Sequence, residues 1–377
     1  MIDFFSQLWD LISFTQLQKS KKSIVFYSEG RDSWTHLRGL IEEFLKINEV
    51  DVCYISSEED DPGLNLKDSN YRAFCMGSGH MLNWLFLNIE TNIMVMTMPD
   101  LNSFQLKQSK HNVHYVYVQH SLVSLHMAYR KGAFDNFNTI FCGGPHHIKE
   151  VRATEKKYNL HAKNLVKHGY SRLDSLIKVA QKNADSRRKE KTYILIAPSW
   201  GENGLIETVG KELVGNLLSA GYKVTLRPHP QTMKLNKVKV DEIGNLYGAN
   251  ESFNLETELA IEESLCSSDL MITDWSGASM DYSFGLKKAV LFLDLPKKIN
   301  NPEYNEINIE PIEVTIRSKI GSVVSIENFV DIHKAINKLL KDKNPNLEEL
   351  RDENVFNIHK SDLVGAQELK KLFGKLQ

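Results

Sequence analysis

Residues 267–294 read SSDLMITDWSGASMDYSFGLKKAVLFLD. Positions 270–273 form a short apolar run, Asp274-Trp275-Ser276-Gly277 a tight polar turn, 278–284 a short helix, and 289–293 a second apolar run. Two short apolar segments separated by a small-residue turn and a helix are the pattern of a βαβ unit in a parallel sheet. In such a sheet the turn lies at the carboxyl edge of the strand, where ligands bind, and the next helix offers unpaired N–H groups to an anion. This spacing predicts that Thr273, Asp274, Ser276 and Gly277 hold a nucleotide phosphate or sugar. The plainer role for Asp274 and Ser276 is to cap the helix.

Upstream, the same alternation repeats. Strands are predicted at 23–27, 50–55, 93–98 and 113–118, with helices at 34–45 and 81–89; Leu37, Leu40, Ile41, Phe44 and Leu45 line one side of the first helix. Strands alternating with helices indicate a doubly wound parallel sheet. A polar, charged stretch without apolar period, KVAQKNADSRRKEK at 178–191, reads as a linker. Beyond it, strands are expected at 193–197 and 222–226 and a helix at 256–265. The expected organisation is an amphipathic segment at 1–22, a first Rossmann-like domain at 23–177, a second at 192–360, and a closing helix within 361–377 that packs back on the first. After residue 295 a loop containing Pro296, Pro302 and Pro311 is expected, then helices at 326–341 and 347–356.

The chain has 377 residues, and its length favours two domains of ordinary size. A formal charge of −2 provides no global basic field for nucleic acid. The four cysteines, Cys53, Cys75, Cys142 and Cys266, form no CxxC pair, so reduced thiols in a cytoplasmic protein are expected and neither zinc nor another cofactor is called for. No apolar run is long enough to cross a membrane, and no cleavable leader is read. Residues 1–22 place Phe4, Phe5, Leu8, Trp9, Leu11 and Ile12 near helical spacing and end in Lys19, Lys21 and Lys22. That pattern suits an anionic membrane surface and equally a helix packed on protein.

Several strand ends carry chemistry-bearing residues. The run 113–118 delivers Gln119-His120-Ser121, and a histidine with a pKa near neutrality is suited to accept a hydroxyl proton. His126 follows as a second candidate. Gly143-Gly144 ends a strand expected within 134–142, and permits close backbone approach or simply a turn. Pro198-Ser199-Trp200-Gly201 and Arg227-Pro228-His229-Pro230 end the first two strands of the second half.

ITDWSGASMDY resembles the signature of the CDP-glycerol glycerophosphotransferase family, the teichoic-acid primases and polymerases. Four further elements resemble that family in order: VQHSLVSLHMAY, with Ser121 for the usual Gly; Gly169, Tyr170, Arg172 and Asp174, with Ser171 for Pro; APSW at 197–200; and RPHP at 227–230. The resemblance implies a GT-B-like architecture, two Rossmann-like doubly wound α/β domains facing across a cleft. It implies transfer of a phosphopolyol from a nucleotide-activated donor such as CDP-glycerol to a glycan or lipid-linked acceptor. His120 would then be the base, with Arg227 and His229 acting on the departing nucleotide phosphate and Ser199, Gly201 and the Ser276-Gly277 turn holding the donor. Gly143, Arg172 and Glu262 are secondary candidates, Arg172 as a phosphate contact or a partner of Asp174. No metal is expected. Two other functions stay open: a GT-B sugar transferase using CMP-Kdo or a UDP-sugar, and a non-catalytic GT-B-like scaffold.

Overall fold

The computed structural model describes residues 4–47, 49–103, 106–182, 191–257, 263–327, 332–342 and 346–376. The chain divides into two compact units: Met1–Asp174 with Asn301–Ile309 and Asn354–Gln377, and Ser175–Asn300 with Glu310–Glu353. Sequence reading placed the domain boundary near 177, a linker at 178–191 and a second boundary near 360. The helix Ser171–Lys182 runs into the expected linker, and residues 183–190 lie outside the described residues.

The first unit is built on seven parallel strands: β1 (Ile24–Ser28), β2 (Val52–Ser56), β3 (Tyr71–Cys75), β4 (Ile93–Met96), β5 (His114–Val118), β6 (Thr139–Cys142) and β7 (Asn164–Lys167). Their spatial order is β3-β2-β1-β4-β5-β6-β7, so the sheet grows outward from β1 in both directions and switches between β1 and β4. The central strands read as uninterrupted apolar runs because both faces are covered. The edge strands β3 and β7 are only partly buried, and Arg72 and Lys167 break their apolar pattern, which hides them from a sequence reading.

The closing helix, Ser361–Leu376, packs on the helix Arg31–Ile47, where Ala366, Leu369 and Phe373 join Leu37, Leu40, Ile41 and Phe44 in one core. Burying a Leu or Phe side chain stabilises by about 1.5–3 kcal/mol, so the docking is substantial. Asp174 fixes where this helix starts: its carboxylate accepts from the N–H groups of His359 at 2.7 Å and Ser361 at 3.1 Å. Asp174 is thus engaged by backbone, and Arg172 donates to Thr35 Oγ1 at 3.2 Å.

The second unit has six parallel strands: β8 (Tyr193–Ile196), β9 (Lys223–Leu226), β10 (Phe253–Leu255), β11 (Leu270–Thr273), β12 (Val290–Asp294) and β13 (Gly321–Ser325). Their order is β10-β9-β8-β11-β12-β13, the arrangement of a dinucleotide-binding sheet, with its switch point between β8 and β11. The strand expected at 270–273 and the helix expected from 278 are found as Leu270–Thr273 and Ala278–Leu286.

Four expectations differ from the structure. The proline-rich region after residue 295 holds a helix, Ile312–Ile320, and β13, and the helix expected from 326 is described as Ile332–Lys341. In the helix expected at 256–265, Glu256 and Thr257 are not helical, residues 258–262, Glu262 among them, lie outside the described residues, and the described helix is Glu263–Ser267. The strand expected within 134–142 is only Thr139–Cys142, because the residues before it form turns.

Candidate functional site

In the first unit the carboxyl end of β5 delivers His120 into a ring of aromatic side chains. Its Nδ1 lies 2.9 Å from the Thr97 carbonyl oxygen and 3.0 Å from the Tyr117 hydroxyl, and its Nε2 lies 3.2 Å from the Tyr129 hydroxyl. A carbonyl can only accept, so Nδ1 carries the hydrogen and the Nε2 lone pair accepts from Tyr129. Burial pushes the His120 pKa down to about 4, partly offset by the Thr97 contact, so the ring is neutral at ordinary pH.

The surroundings hold this geometry. The Tyr170 hydroxyl donates to the His120 carbonyl at 3.0 Å, and His36 stacks on Tyr170 with its ring 5.9 Å from that of His120. Burial, with Arg172 and His120 nearby, lowers the His36 pKa well below the ordinary range. The loop after His120 is tied down by two adjacent imidazoles: His146 Nε2 bonds the Leu122 carbonyl at 2.9 Å and His147 Nε2 the Val123 carbonyl at 3.0 Å. His126 is part of the scaffold, since its Nε2 donates to the Ile309 carbonyl at 3.0 Å and its Nδ1 faces Glu150 at 3.3 Å. Gly143 is likewise internal: its N–H donates to His147 Nδ1, and its carbonyl accepts from Phe356. The glycine beside it is required by packing, because a Cβ on Gly144 would stand 1.9 Å from the Asn354 carbonyl oxygen.

In the second unit the switch point gathers the predicted donor residues, but with different tasks. Asp274 is buried, and its carboxylate accepts three backbone N–H groups: Ser199 at 2.7 Å, Trp275 at 2.6 Å and Leu205 at 3.0 Å. Thr273 is also internal, donating to the Ala197 carbonyl at 2.7 Å. Together they tie the 198–205 turn to the end of β11. Ser276 Oγ accepts from the Ala278 N–H at 3.3 Å, and Gly277 precedes the helix Ala278–Leu286. Gly201, at φ +129°, adopts a backbone state that only glycine reaches cheaply, and space around its α-carbon is open.

At the end of β9, Arg227 is buried against Glu256 at 2.8 Å and Ser264 at 3.3 Å. His229 begins the helix Pro230–Leu235, its Nδ1 accepting from the Gln231 N–H at 3.1 Å. In the neutral ring the hydrogen therefore resides on Nε2, which makes His229 a donor toward an anion. The His229 ring lies 6.2 Å from that of Trp200, and Lys298 stands over Trp200 at 4.0 Å. Tyr129 ends the VQHSLVSLHMAY element without being singled out by it, while His36, on the helix Arg31–Ile47, and Lys298, after β12, belong to no sequence motif.

Two doubly wound parallel sheets, each with polar and basic side chains at its strand carboxyl ends, give the chain a GT-B-like fold. The profile of the CDP-glycerol:poly(glycerophosphate) glycerophosphotransferase family matches residues 11–295, and the chain belongs to that family. It is an enzyme of the glycerophosphotransferase type.

Solved structures share the fold. A His-to-Asn variant of the wall teichoic acid polymerase TagF with CDPG is 15% identical, with a TM-score of 0.59 over 98% of this chain and 94% of the other. The Methanocaldococcus jannaschii UDP-GlcNAc 2-epimerase in complex with UDP-GlcNAc and UDP is 14% identical, with a TM-score of 0.57 over 93% and 98%. The Neisseria meningitidis UDP-GlcNAc 2-epimerase bound to UDP-GlcNAc is 13% identical, with a TM-score of 0.56 over 92% and 99%. No curated protein matches the sequence. Among the described residues no helix is long and apolar enough to cross a membrane.

Proposed function

We propose that this enzyme transfers glycerol phosphate from CDP-glycerol to a hydroxyl of a glycan or lipid-linked acceptor, in building a teichoic-acid-like or capsular cell-surface polymer. The observation that carries the reading is the tautomer of His120: its Nδ1–H is committed to the Thr97 carbonyl, so the basic lone pair is on Nε2, where a substrate hydroxyl would take the place of the Tyr129 hydroxyl. The acceptor oxygen attacks the phosphorus that bears glycerol. As that O–P bond forms, the P–O bond to the CMP oxygen breaks and the hydroxyl proton passes to His120 Nε2. His229 Nε2–H meets the charge gathering on departing CMP, and charge that grows in the transition state is what a fixed donor lowers most. Arg227, held by Glu256 and Ser264, and the turns at Ser199–Gly201 and Ser276–Gly277 orient the donor phosphates.

Membership in the glycerophosphotransferase family supports the donor. We place the reaction in the cytoplasm at the inner face of the membrane. Phe4, Phe5 and Trp9 on the helix Phe4–Gln16 are 60%, 74% and 71% exposed, an apolar surface that suits a bilayer boundary beside Lys19 and Lys21. The test is CMP release and acceptor mass with His120→Asn and His229→Asn. Folded variants that retain full transfer overturn the mechanism. Thermal stabilisation by CDP-glycerol over UDP supports the donor; a preference for uridine nucleotides transfers the assignment to a sugar donor, and no response to any nucleotide favours the scaffold role.

A further inference from the structure

Lys298 follows β12 in the same unit as Ser199, His229 and Asp274. It is half-buried, and its ammonium rests on the face of Trp200 at 4.0 Å, in the turn that ends β8. A lysine withdrawn from water is ordinarily paired with a carboxylate. Among the described residues Lys298 makes no hydrogen bond and no ion pair. Two acids face it, and neither closes on it. Asp274 spends its oxygens on the Ser199, Leu205 and Trp275 N–H groups. Glu207 accepts from Asn236 at 3.4 Å through one oxygen, while the other is buried with no hydrogen-bond partner among the described residues.

The arrangement is one that an incoming anion completes. The indole face holds the cation without neutralising it, and burial limits its hydration. Burial lowers the Lys298 pKa to about 8, while Asp274 and Glu207 favour the charged form. The anion's class follows from position: Trp200 belongs to the turn at the switch point of the sheet, and its ring is 6.2 Å from that of His229, whose Nε2–H is a second donor. Phosphates bind at such switch points. We propose that Lys298, laid across Trp200 beside His229, is a contact for the phosphates of the nucleotide donor. This rests on the donor assignment above, and adds a residue that no motif identifies.

The experiment compares the wild-type enzyme with Lys298→Met and Lys298→Arg in direct titrations with CDP-glycerol, CDP and cytidine. Intrinsic tryptophan emission is the readout, with Trp200→Phe identifying the share due to Trp200. Lys298→Met is expected to raise the Kd for CDP and CDP-glycerol at least tenfold and leave cytidine unchanged, and Lys298→Arg to recover most of the loss. Unchanged CDP binding by folded Lys298→Met overturns the inference, as does equal weakening of cytidine and CDP. If the wild-type enzyme binds CDP-glycerol and Lys298→Met binds it equally well, the Lys298 role falls while the donor reading stands. If the wild type prefers UDP, the donor reading falls and the Lys298 comparison is read on UDP and uridine.

Discussion

Asp274→Asn separates a scaffold from a ligand contact. The carboxylate accepts N–H groups from Ser199, Trp275 and Leu205 within 3.0 Å, in a buried setting. Asparagine keeps one acceptor oxygen but sets an NH2 group against the Leu205 N–H, donor facing donor. Losing a hydrogen bond to a charged acceptor costs about 1.5–3 kcal/mol, and stranding the buried Leu205 donor about 1–3 kcal/mol more. The sum is about 2.5–6 kcal/mol. For a unit of this size each kcal/mol lowers Tm by roughly 2–4 °C, so a fall of about 10 °C is expected. Thermal melts followed by tryptophan emission measure it, beside a CDP-glycerol titration. The variant should lose donor affinity in step with stability, because the 198–205 turn is released. A variant that melts like the wild type yet no longer binds donor would refute the scaffold role and make Asp274 a direct contact.

Other predictions concern protons and surfaces. With His120 neutral down to about pH 4, kcat/KM for the acceptor should show no acid limb near the ordinary histidine value of 6.5; a limb between pH 6 and 7 that vanishes in His120→Asn would contradict the geometry. His168 is buried, and burial lowers its pKa to about 4 against a smaller opposing contact with the Gly169 backbone. The unfolded chain therefore binds a proton that the folded one refuses, so its stabilising share is present above about pH 6.5 and is lost as pH falls toward 4, about 3 kcal/mol in all. His168→Phe, which keeps a ring beside Phe141, should flatten the fall in urea stability over that range; an unchanged pH slope rejects the assignment. At the other end of the chain, replacing Phe4, Phe5 and Trp9 together by Ser should abolish co-sedimentation with anionic liposomes without lowering Tm. Deletion of the helix is a poorer test, because Phe14 packs on Phe74 in the core. Full sedimentation of the triple variant would end the membrane role.

How legible the fold was depended on burial. The strands β1, β8 and β11 stand out because both sheet faces are covered and every position is apolar or small. β13 escaped notice because GSVVS is partly exposed throughout, and the helix before it begins at Ile312 just after Pro311. Proline at the helix N-cap reads as loop in sequence, although proline is well tolerated where a helix starts. The return of residues 301–309 to the first unit had no local signal either; it depends on Asn301 donating to the His126 carbonyl and His126 to that of Ile309.

The candidate site divides in the same way. By itself the sequence determined which residues stand at strand ends, among them His120, Ser199, His229 and the 273–277 turn, since strand and turn are written in the side chains of a few neighbouring positions. Tertiary structure alone decided what each does. Thr97 sets the tautomer of His120, the amides of Ser199 and Leu205 occupy Asp274, and Trp200 receives Lys298. These partners lie 23 to 98 residues apart in the chain. Hydrogen-bond direction and desolvation are imposed by such distant contacts, and no local pattern of residues encodes them.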